Sequence, residues 1–598
     1  MIKFPFETKR KYQDEIIGKV EECLNSGNNL LVHAPTGIGK TVSVLYPSVK
    51  FAVEYGFNLF FITPRHSQHQ IALETMEKIG NVKTVDLIGK RWLCSYNYDN
   101  ELSQSDFQEL CNYLKKEEKC KYYNQVWSEG ELTDKAISKL RSFEKISSSE
   151  KIKRECKDFC PYEISCLLAR SSTVIIGDYF HLFSPSASKS FLMKINKELE
   201  NSIVIVDEAH QLPHRVRSHL SSKLTTYILD KAWKEAKEFN PNLANEIYNL
   251  NLKIEEIAKE KLCEVEEAYI EKRELVSILN SIGSDFLKGL YEVSDAVKEN
   301  GKEKSFCHSI ANFIDKWIES DEDFTRIIKK VNDKKYEINL VALLPSKITS
   351  GIINSTHSTI LMSATLQPTE MYANLLGVKN YESISFPSVF PKENRLNIIS
   401  PIVTTRYSKR DKKQYKKYAD IISKIFENIS GNVAVFFPSY YFLERVREYI
   451  EIDNLFVEKP RMSKEQKVNL LKNFVNSKKS LLLAVFSGSF DQGVNFPNNI
   501  LKGVIIAGLP LAKPDLETKS LIECYNRYFG KGIEYGYIYP AIQKSIQASG
   551  RAIRKETDKA AIVYLDERFL WKNYRNIFSD GNFIVSNEPW IEVKRFNL

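Results

Sequence analysis

Short, unbroken apolar runs punctuate the first two thirds of the chain: Leu30–Val32 (LLV), Leu59–Thr63 (LFFIT), and further runs at Val174–Ile176, Ile203–Val206 and Thr359–Met362. A strand that is apolar at every position is buried on both faces, as in a parallel sheet covered by helices on each side. Helical stretches separate the runs, so the pattern predicts a doubly wound α/β sheet whose ligands bind beyond the carboxyl ends of the strands. The opening segment Phe6–Val20 (FETKRKYQDEIIGKV) reads as a helix, with Ile16, Ile17 and Val20 at helical spacing and Gln13 near its start. Arg215–Pro345 is long, charged and helical in pattern, as in KIEEIAKEKLCEVEEAYIEKRELVSIL, and reads as an inserted helical unit. Pro387–Asn394 (PSVFPKEN) is a loop and a boundary between lobes.

The residues just past the strands carry the chemistry. The first run leads into APTGIGKT, Ala34–Thr41. A phosphate chain is held where backbone N–H groups converge at a helix N-terminus, which calls for small loop residues, a lysine for the terminal phosphates and a hydroxyl for magnesium. Gly37, Gly39, Lys40 and Thr41 supply these parts in order, and Ala34 stands at the loop's usual first glycine. The strand IVIV delivers Asp207, Glu208, Ala209 and His210. An aspartate there can hold magnesium, and the adjacent glutamate can orient or deprotonate an attacking water. Ser363, Ala364 and Thr365 close another strand in the same way. Gln13 is a candidate adenine reader, since one amide both donates and accepts.

At 598 residues the chain exceeds one core, and about 150 residues per domain implies about four units. An apolar fraction of 43% with 27% charged residues describes a globular protein. No segment reaches the ~18 consecutive apolar residues of a membrane span, and MIKFPFETKRKYQ lacks a signal-peptide core, so the expected place is the cytoplasm, or the nucleus of a eukaryote. A net charge of +9 is equally what a lysine-rich soluble surface gives. Cys94, Cys111, Cys120, Cys156, Cys160 and Cys166 crowd one region, whereas Cys23, Cys263, Cys307 and Cys524 are scattered. Without a secretion signal, such crowding favours a metal site over disulfides. TTRYSKRDKKQYKKY, Thr404–Tyr418, mixes seven Lys/Arg with three tyrosines. Cations suit phosphates and aromatic faces suit unpaired bases, so the run is a candidate nucleic-acid path, with a solvated helix face as the alternative. Lys90 and Arg91 are further candidates.

APTGIGKT, DEAH and SAT, in that order, resemble the motifs of superfamily 2 helicases, and the cysteine cluster between the first two is similar to the XPD/DinG branch. Later, NVAVFFPSYYF, AVFSGSFDQGVNF and QASGRAIR resemble that family's fourth, fifth and sixth motifs, the first two on or just after apolar strands of a second parallel sheet. The resemblance implies an α/β fold of two RecA-like motor lobes with ATP between them, the first lobe interrupted by an iron-sulfur domain and a helical arch. It assigns residues 1–89, 168–214 and 346–386 to the first lobe, 90–167 to the iron-sulfur domain, 215–345 to the arch and 387–598 to the second lobe.

On that resemblance, Lys40, Thr41 and Asp207 hold ATP with Mg2+, Glu208 directs water, and Gln547 and Gly550 frame the sixth motif. Arg551 and Arg554 complete the site, because a guanidinium aimed at the terminal phosphate stabilises transition-state charge. Cys94 (after GKRWL), Cys111, Cys120 (before KYY) and Cys160 (opening CPYE) are similar to the family's ligand settings, and four thiolates suit a [4Fe-4S] cluster. Cys156 is an alternative to Cys160, Cys166 is an additional cysteine, and tetrahedral zinc is the rival metal, although no C-x-x-C pair is present. The implied activity is 5′-to-3′ movement on single-stranded and forked DNA by a monomer in DNA repair, with repair proteins as partners and no membrane. Ala364 stands where many relatives carry glycine, which bears on how ATP is coupled to DNA. A DinG-like translocase or nuclease is a second reading, disfavoured for degradation by the absence of an extra acidic cluster. An ATP-gated DNA-binding scaffold is a third.

Overall fold

The computed structural model describes residues 2–96, 98, 102, 104–332, 335–486, 488, 490, 496, 500–575, 577–578 and 583–598. Each apolar run is a strand slightly longer than the run itself: Asn29–His33, Asn58–Thr63, Val174–Asp178, Ser202–Asp207 and Ser358–Ser363. They lie in an eight-stranded sheet ordered Tyr381–Ser385, Asn29–His33, Ser358–Ser363, Ser202–Asp207, Asn58–Thr63, Val174–Asp178, Thr84–Leu87, Ile146–Ser147. Every pairing is parallel. Successive side chains leave a strand on opposite faces. Leu31 therefore joins Phe60, Val204 and Leu361 in one core, while Leu30 and Val32 join Phe61, Ile203 and Ile360 in the other. Both faces being covered is why the runs show no alternation. The strand order also sets Ala34, Ser363 and Asp207 side by side at one edge of the sheet.

A second, seven-stranded parallel sheet runs Leu455–Val457, Leu481–Val485, Asn432–Phe437, Leu501–Ile506, Ala560–Leu565, Arg395–Ser400, Phe583–Val585. The helix Leu516–Phe529 lies in sequence between two of its strands but buries Leu521, Cys524 and Tyr525 in a core of the first sheet. Its N-terminal Leu516 N–H donates to Glu267 Oε1 at 2.8 Å, and Ser520 Oγ lies 2.9 Å from Thr325 Oγ1. It thus joins both sheets to the insertion.

That insertion contains the expected helices, among them Thr226–Phe239, Pro241–Lys261, Phe286–Glu299 and Phe306–Glu319. With them comes a four-stranded antiparallel sheet ordered Glu267–Tyr269, Phe324–Asn332, Lys335–Ala342, Ser222–Thr225. Two further readings change. The first helix spans Gln13–Ser26, because Tyr12 is left-handed at φ 70° and Glu7–Lys11 offer no apolar residue to bury. In the basic run, Tyr415 and Tyr418 on the helix Lys412–Glu427 are buried in the second lobe's core, leaving Tyr407, 88% exposed, as the one tyrosine there free to meet a base. Among the described residues no helix is long and apolar enough to cross a membrane.

Candidate nucleotide and metal site

The loop after Asn29–His33 turns sharply into the helix Lys40–Tyr55, with Gly37 at φ 93° and Gly39 at φ 85°. Only glycine takes these angles without strain, and neither position has room for a side chain. A methyl group on Gly37 would stand 2.7 Å from Phe390 Cζ, and one on Gly39 would collide with the Gln13 amide. Gln13 is buried against the loop, accepting from Arg10 N–H at 2.8 Å with its Nε2 3.5 Å from the Gly39 carbonyl. The Arg10 guanidinium donates to the Gly37 carbonyl at 2.8 Å. Ala34 N–H donates to Ser363 O at 3.1 Å, and His33 Nδ1 accepts from Leu366 N–H at 3.2 Å. Burial, reinforced by Lys40, holds His33 down at about 4, so it is the neutral acceptor this bond needs.

The neighbouring strand end presents Asp207 and Glu208. Glu208 is left-handed at φ 51°, its N–H donating to Asp207 Oδ1 at 2.9 Å. Burial and then the charge of Glu208 push Asp207 up to about 7. A carboxyl in that condition is stabilised as an anion by any cation brought to it, which fits a magnesium ligand. Burial would raise Glu208 as well, but His210, Lys40 and Ser363 hold it at about 2. Ser363 Oγ donates to Glu208 Oε2 at 3.1 Å, and His210 Nδ1 stands 3.3 Å from the same oxygen. Thr365 N–H donates to Ser363 Oγ at 3.2 Å, and Gln547 Nε2, on the second-lobe helix Tyr539–Ser549, donates to Thr365 Oγ1 at 3.0 Å. A line of hydrogen bonds therefore crosses from Glu208 to the other lobe. Thr41 sits in the first turn of the loop helix, Ala364 lies within that crossing, and Gly550 caps the Gln547 helix. Arg551 and Arg554 follow in the next turn, where Arg554 N–H donates to Asp558 Oδ2 at 2.8 Å and burial lowers its guanidinium. Much of the fifth motif, including 491–495, lies outside the described residues.

Beside this site is a buried network that the sequence did not announce. His69 is 2% exposed, with Nδ1 2.6 Å from Asp86 Oδ1 and Nε2 3.5 Å from Asp178 Oδ1. Asp86 also accepts from Ser149 N–H at 3.0 Å, tying the cysteine-bearing segment to the first sheet. Burial opposes charge on His69, but Asp178 and Asp86 raise it to about 9. A histidine raised on folding stabilises fully below its ordinary 6.5, and that contribution is lost as pH rises through about 9. Thermal melts from pH 6 to 10 are expected to lose on the order of 2–3 kcal/mol over this window, and a His69→Gln variant, itself less stable, to show a flatter profile.

The four cysteines read as cluster ligands sit on different elements. Cys94 follows the helix Lys90–Leu93, Cys111 is inside Gln104–Lys116, Cys120 precedes Lys121–Asn124, and Cys160 precedes Pro161–Ser171. Burial pushes Cys94 up to about 11 with Cys111 and Cys120 adding to it, and pushes Cys160 up to about 12 with Glu163 and Cys111 adding. Burial likewise raises Cys120, again with Cys111 contributing. Cys111 thus lies within the field of each of the other three thiols. Cys156 and Cys166 are sealed in the first-sheet core, where the leading charges are Lys139 and Glu155 for the one and Lys194 and Glu163 for the other. Among the described residues no group of three or more His, Cys, Asp or Glu is drawn tightly enough to hold a metal ion. Four thiolates are the donor set that an iron-sulfur cluster takes.

The chain matches the DEAD_2 family over residues 62–229 and the helicase C-terminal domain over residues 422–581. It is 26% identical over 585 residues to the ATP-dependent DNA helicase XPD of Sulfolobus acidocaldarius, covering 94% of this chain and 97% of that protein. It is 24% identical over 557 residues to the ATP-dependent DNA helicase CHL1 of Kluyveromyces lactis, covering 83% of this chain and 67% of that one. A solved XPD helicase shares the fold with a TM-score of 0.70 at 23% identity, over 97% of this chain and 100% of its own. Carrying both domains in this order, the chain belongs to the XPD/CHL1-type helicases.

Proposed function

We propose that the protein is an ATP-hydrolysing DNA helicase that moves 5′ to 3′ along single-stranded DNA in DNA repair. The observation that carries this reading is the line from Glu208 through Ser363 and Thr365 to Gln547. It links the carboxylate that would direct water to the sixth-motif helix of the other lobe, as a site assembled by lobe closure requires. Lys40 and the glycines take the phosphates, Gln13 meets the adenine edge from its place against the loop, and Arg551 with Arg554 completes the site from the second lobe. Thr41 and Asp207 would hold Mg2+, which neutralises phosphate charge. Cys94, Cys111, Cys120 and Cys160 would hold a [4Fe-4S] cluster that braces a region with little core of its own. The small cluster of Leu102, Phe107 and Leu110 beside Cys94 and Cys111 supports that need.

The proposed division is 1–89, 168–214 and 346–386 for the first lobe, 90–167 for the cluster domain, 215–345 for the arch and 387–598 for the second lobe. The working unit is a monomer on single-stranded or forked DNA, in the cytoplasm or a eukaryotic nucleus, with repair proteins as partners. Exposed Tyr407, beside Arg410 at 5.8 Å, supports a strand path over the second lobe. Forks with opposite single-stranded tails, with ATP consumption followed alongside, test the reading. Separation of the fork with a 5′ tail alone is expected, abolished in Lys40→Ala. Hydrolysis without separation would mark a translocase, and binding with neither a scaffold.

A further inference from the structure

Glu208, at φ 51°, has a backbone conformation that a non-glycine residue adopts at a cost, and such conformations persist only where the surroundings impose them. What imposes this one comes from the residue just after the strand Val174–Asp178, two strands away in the sheet. Tyr179, 2% exposed, places its hydroxyl 2.5 Å from the Asp207 carbonyl and 2.9 Å from the Glu208 carbonyl. A phenolic proton shared by two successive carbonyls fixes the peptide between the two carboxylates, and with it the direction in which Glu208 leaves the backbone. Glu208 O also accepts from Gln211 N–H at 2.9 Å, which holds the far side of the turn.

The residue before Tyr179 faces the opposite way. Asp178 accepts from His66 of the helix His66–Ile79, with Oδ2 3.3 Å from His66 Nε2, and its Oδ1 stands 3.5 Å from His69 Nε2 as an ion-pair partner. His66 is on the surface, its side chain 41% exposed, and meets the ring of Trp92 edge-on at 5.7 Å. Trp92 is 56% exposed, and its carbonyl accepts from Lys153 Nζ at 2.7 Å. Arg65, Lys90 and Arg91 adjoin these two rings in sequence. An exposed indole and imidazole among cations offer a stacking face to an unpaired base and charge to its phosphates.

We infer that Asp178 and Tyr179 are a positioning pair that links single-stranded DNA at the His66–Trp92 surface to the orientation of Glu208. This rests on the reading of Glu208 as the residue that directs water. A strand seated on His66 would bear on Asp178 through its carboxylate, and Asp178 cannot shift without moving the hydroxyl of its neighbour. The pair thereby gives DNA a route to ATP hydrolysis within the first lobe.

The test is steady-state ATP hydrolysis by the full chain with and without an oligothymidylate, beside nucleotide binding and thermal melting. Tyr179→Phe keeps the ring and its packing, and is expected to lower kcat about tenfold while KM for ATP changes less than twofold, because a small misplacement of a reacting group acts on turnover rather than binding. His66→Ala is expected to reduce the stimulation factor, turnover with oligothymidylate over turnover without, by about fivefold or more. Wild-type kcat in a Tyr179→Phe protein that melts normally would overturn the pair, as would full stimulation in His66→Ala. Lys40→Ala separates the two levels. If Lys40→Ala hydrolyses ATP normally, the nucleotide site itself is misread and the inference falls with it. If Lys40→Ala is inactive while Tyr179→Phe is normal, the pair alone is rejected.

Discussion

Glu208→Gln is expected to bind ATP with close to wild-type affinity and to hydrolyse it 10²–10⁴-fold more slowly, roughly the contribution of a positioned general base. His210, Lys40 and Ser363 hold the Glu208 carboxyl at about 2 against the opposing effect of burial, so it is ionised at neutral pH. Glutamine keeps the length of the side chain and an oxygen for Ser363 Oγ, but it cannot take a proton or carry the charge that faces His210 3.3 Å away. Binding is spared because the phosphate loop stands on other supports: Arg10 on the Gly37 carbonyl, and Gln13 between Arg10 and Gly39. Single-turnover hydrolysis beside a fluorescent-nucleotide titration separates the two quantities. A carboxyl depressed to about 2 is ionised throughout the range from pH 5 to pH 7, so wild-type activity lost over that range must come from another group. Asp207, pushed up to about 7 by burial and by Glu208, is the group to examine, since protonation would remove its affinity for magnesium. Turnover in Glu208→Gln within a factor of two of wild type would remove this residue from the chemistry.

The strands were legible because the physics that buries them acts on every residue. A parallel strand with helices over both faces has no polar position to hide it, so LFFIT and IVIV stand out, and the loops that follow them carry functional side chains. The sheet in the insertion obeys a different rule. Lys335–Ala342 (KYEINLVA) buries Tyr336, Ile338 and Leu340 at every second position, yet the polar residues between them, Glu337 and Asn339, match the helices around it, and a short alternation among long helical stretches is easily absorbed into them. The basic run carried two readings for a related reason. Tyr415 and Tyr418 are spaced to bury one face of a helix, while Lys412, Lys413, Lys416 and Lys417 are solvated on the other, so the composition of a nucleic-acid site and that of an amphipathic helix coincide there. Tyr179 had no signal at all. Its part depends on how the sheet sets two unpaired strands, with a hydroxyl just past Val174–Asp178 meeting carbonyls 28 and 29 residues on.

Purified protein is expected to be brown, with iron and acid-labile sulfide bound by Cys94, Cys111, Cys120 and Cys160. Replacing any one of these with serine is expected to bleach it and to loosen the segment between Lys90 and Pro161, because thiolate ligation would tie together short elements that bury little among themselves. The surroundings suit the charge. Lys115 lies in the fields of Cys111 and Cys160, with Glu163 as its carboxylate partner, and Lys90 lies in that of Cys111, so cations stand beside thiols that must give up protons on ligation. ATP hydrolysis is expected to fall less than strand separation, since Lys40, Asp207 and Glu208 are held by the first sheet and its links to Gln547, none of which runs through the cysteines. Cys156→Ser and Cys166→Ser are the controls. Both thiols are fully buried in the apolar core of the first sheet, so serine there costs about 1–3 kcal/mol of stability and leaves the colour unchanged. Metal analysis of anaerobically prepared protein decides between the alternatives: stoichiometric zinc without iron rejects the cluster, and a bleached Cys156→Ser beside a brown Cys160→Ser transfers the fourth ligand to Cys156.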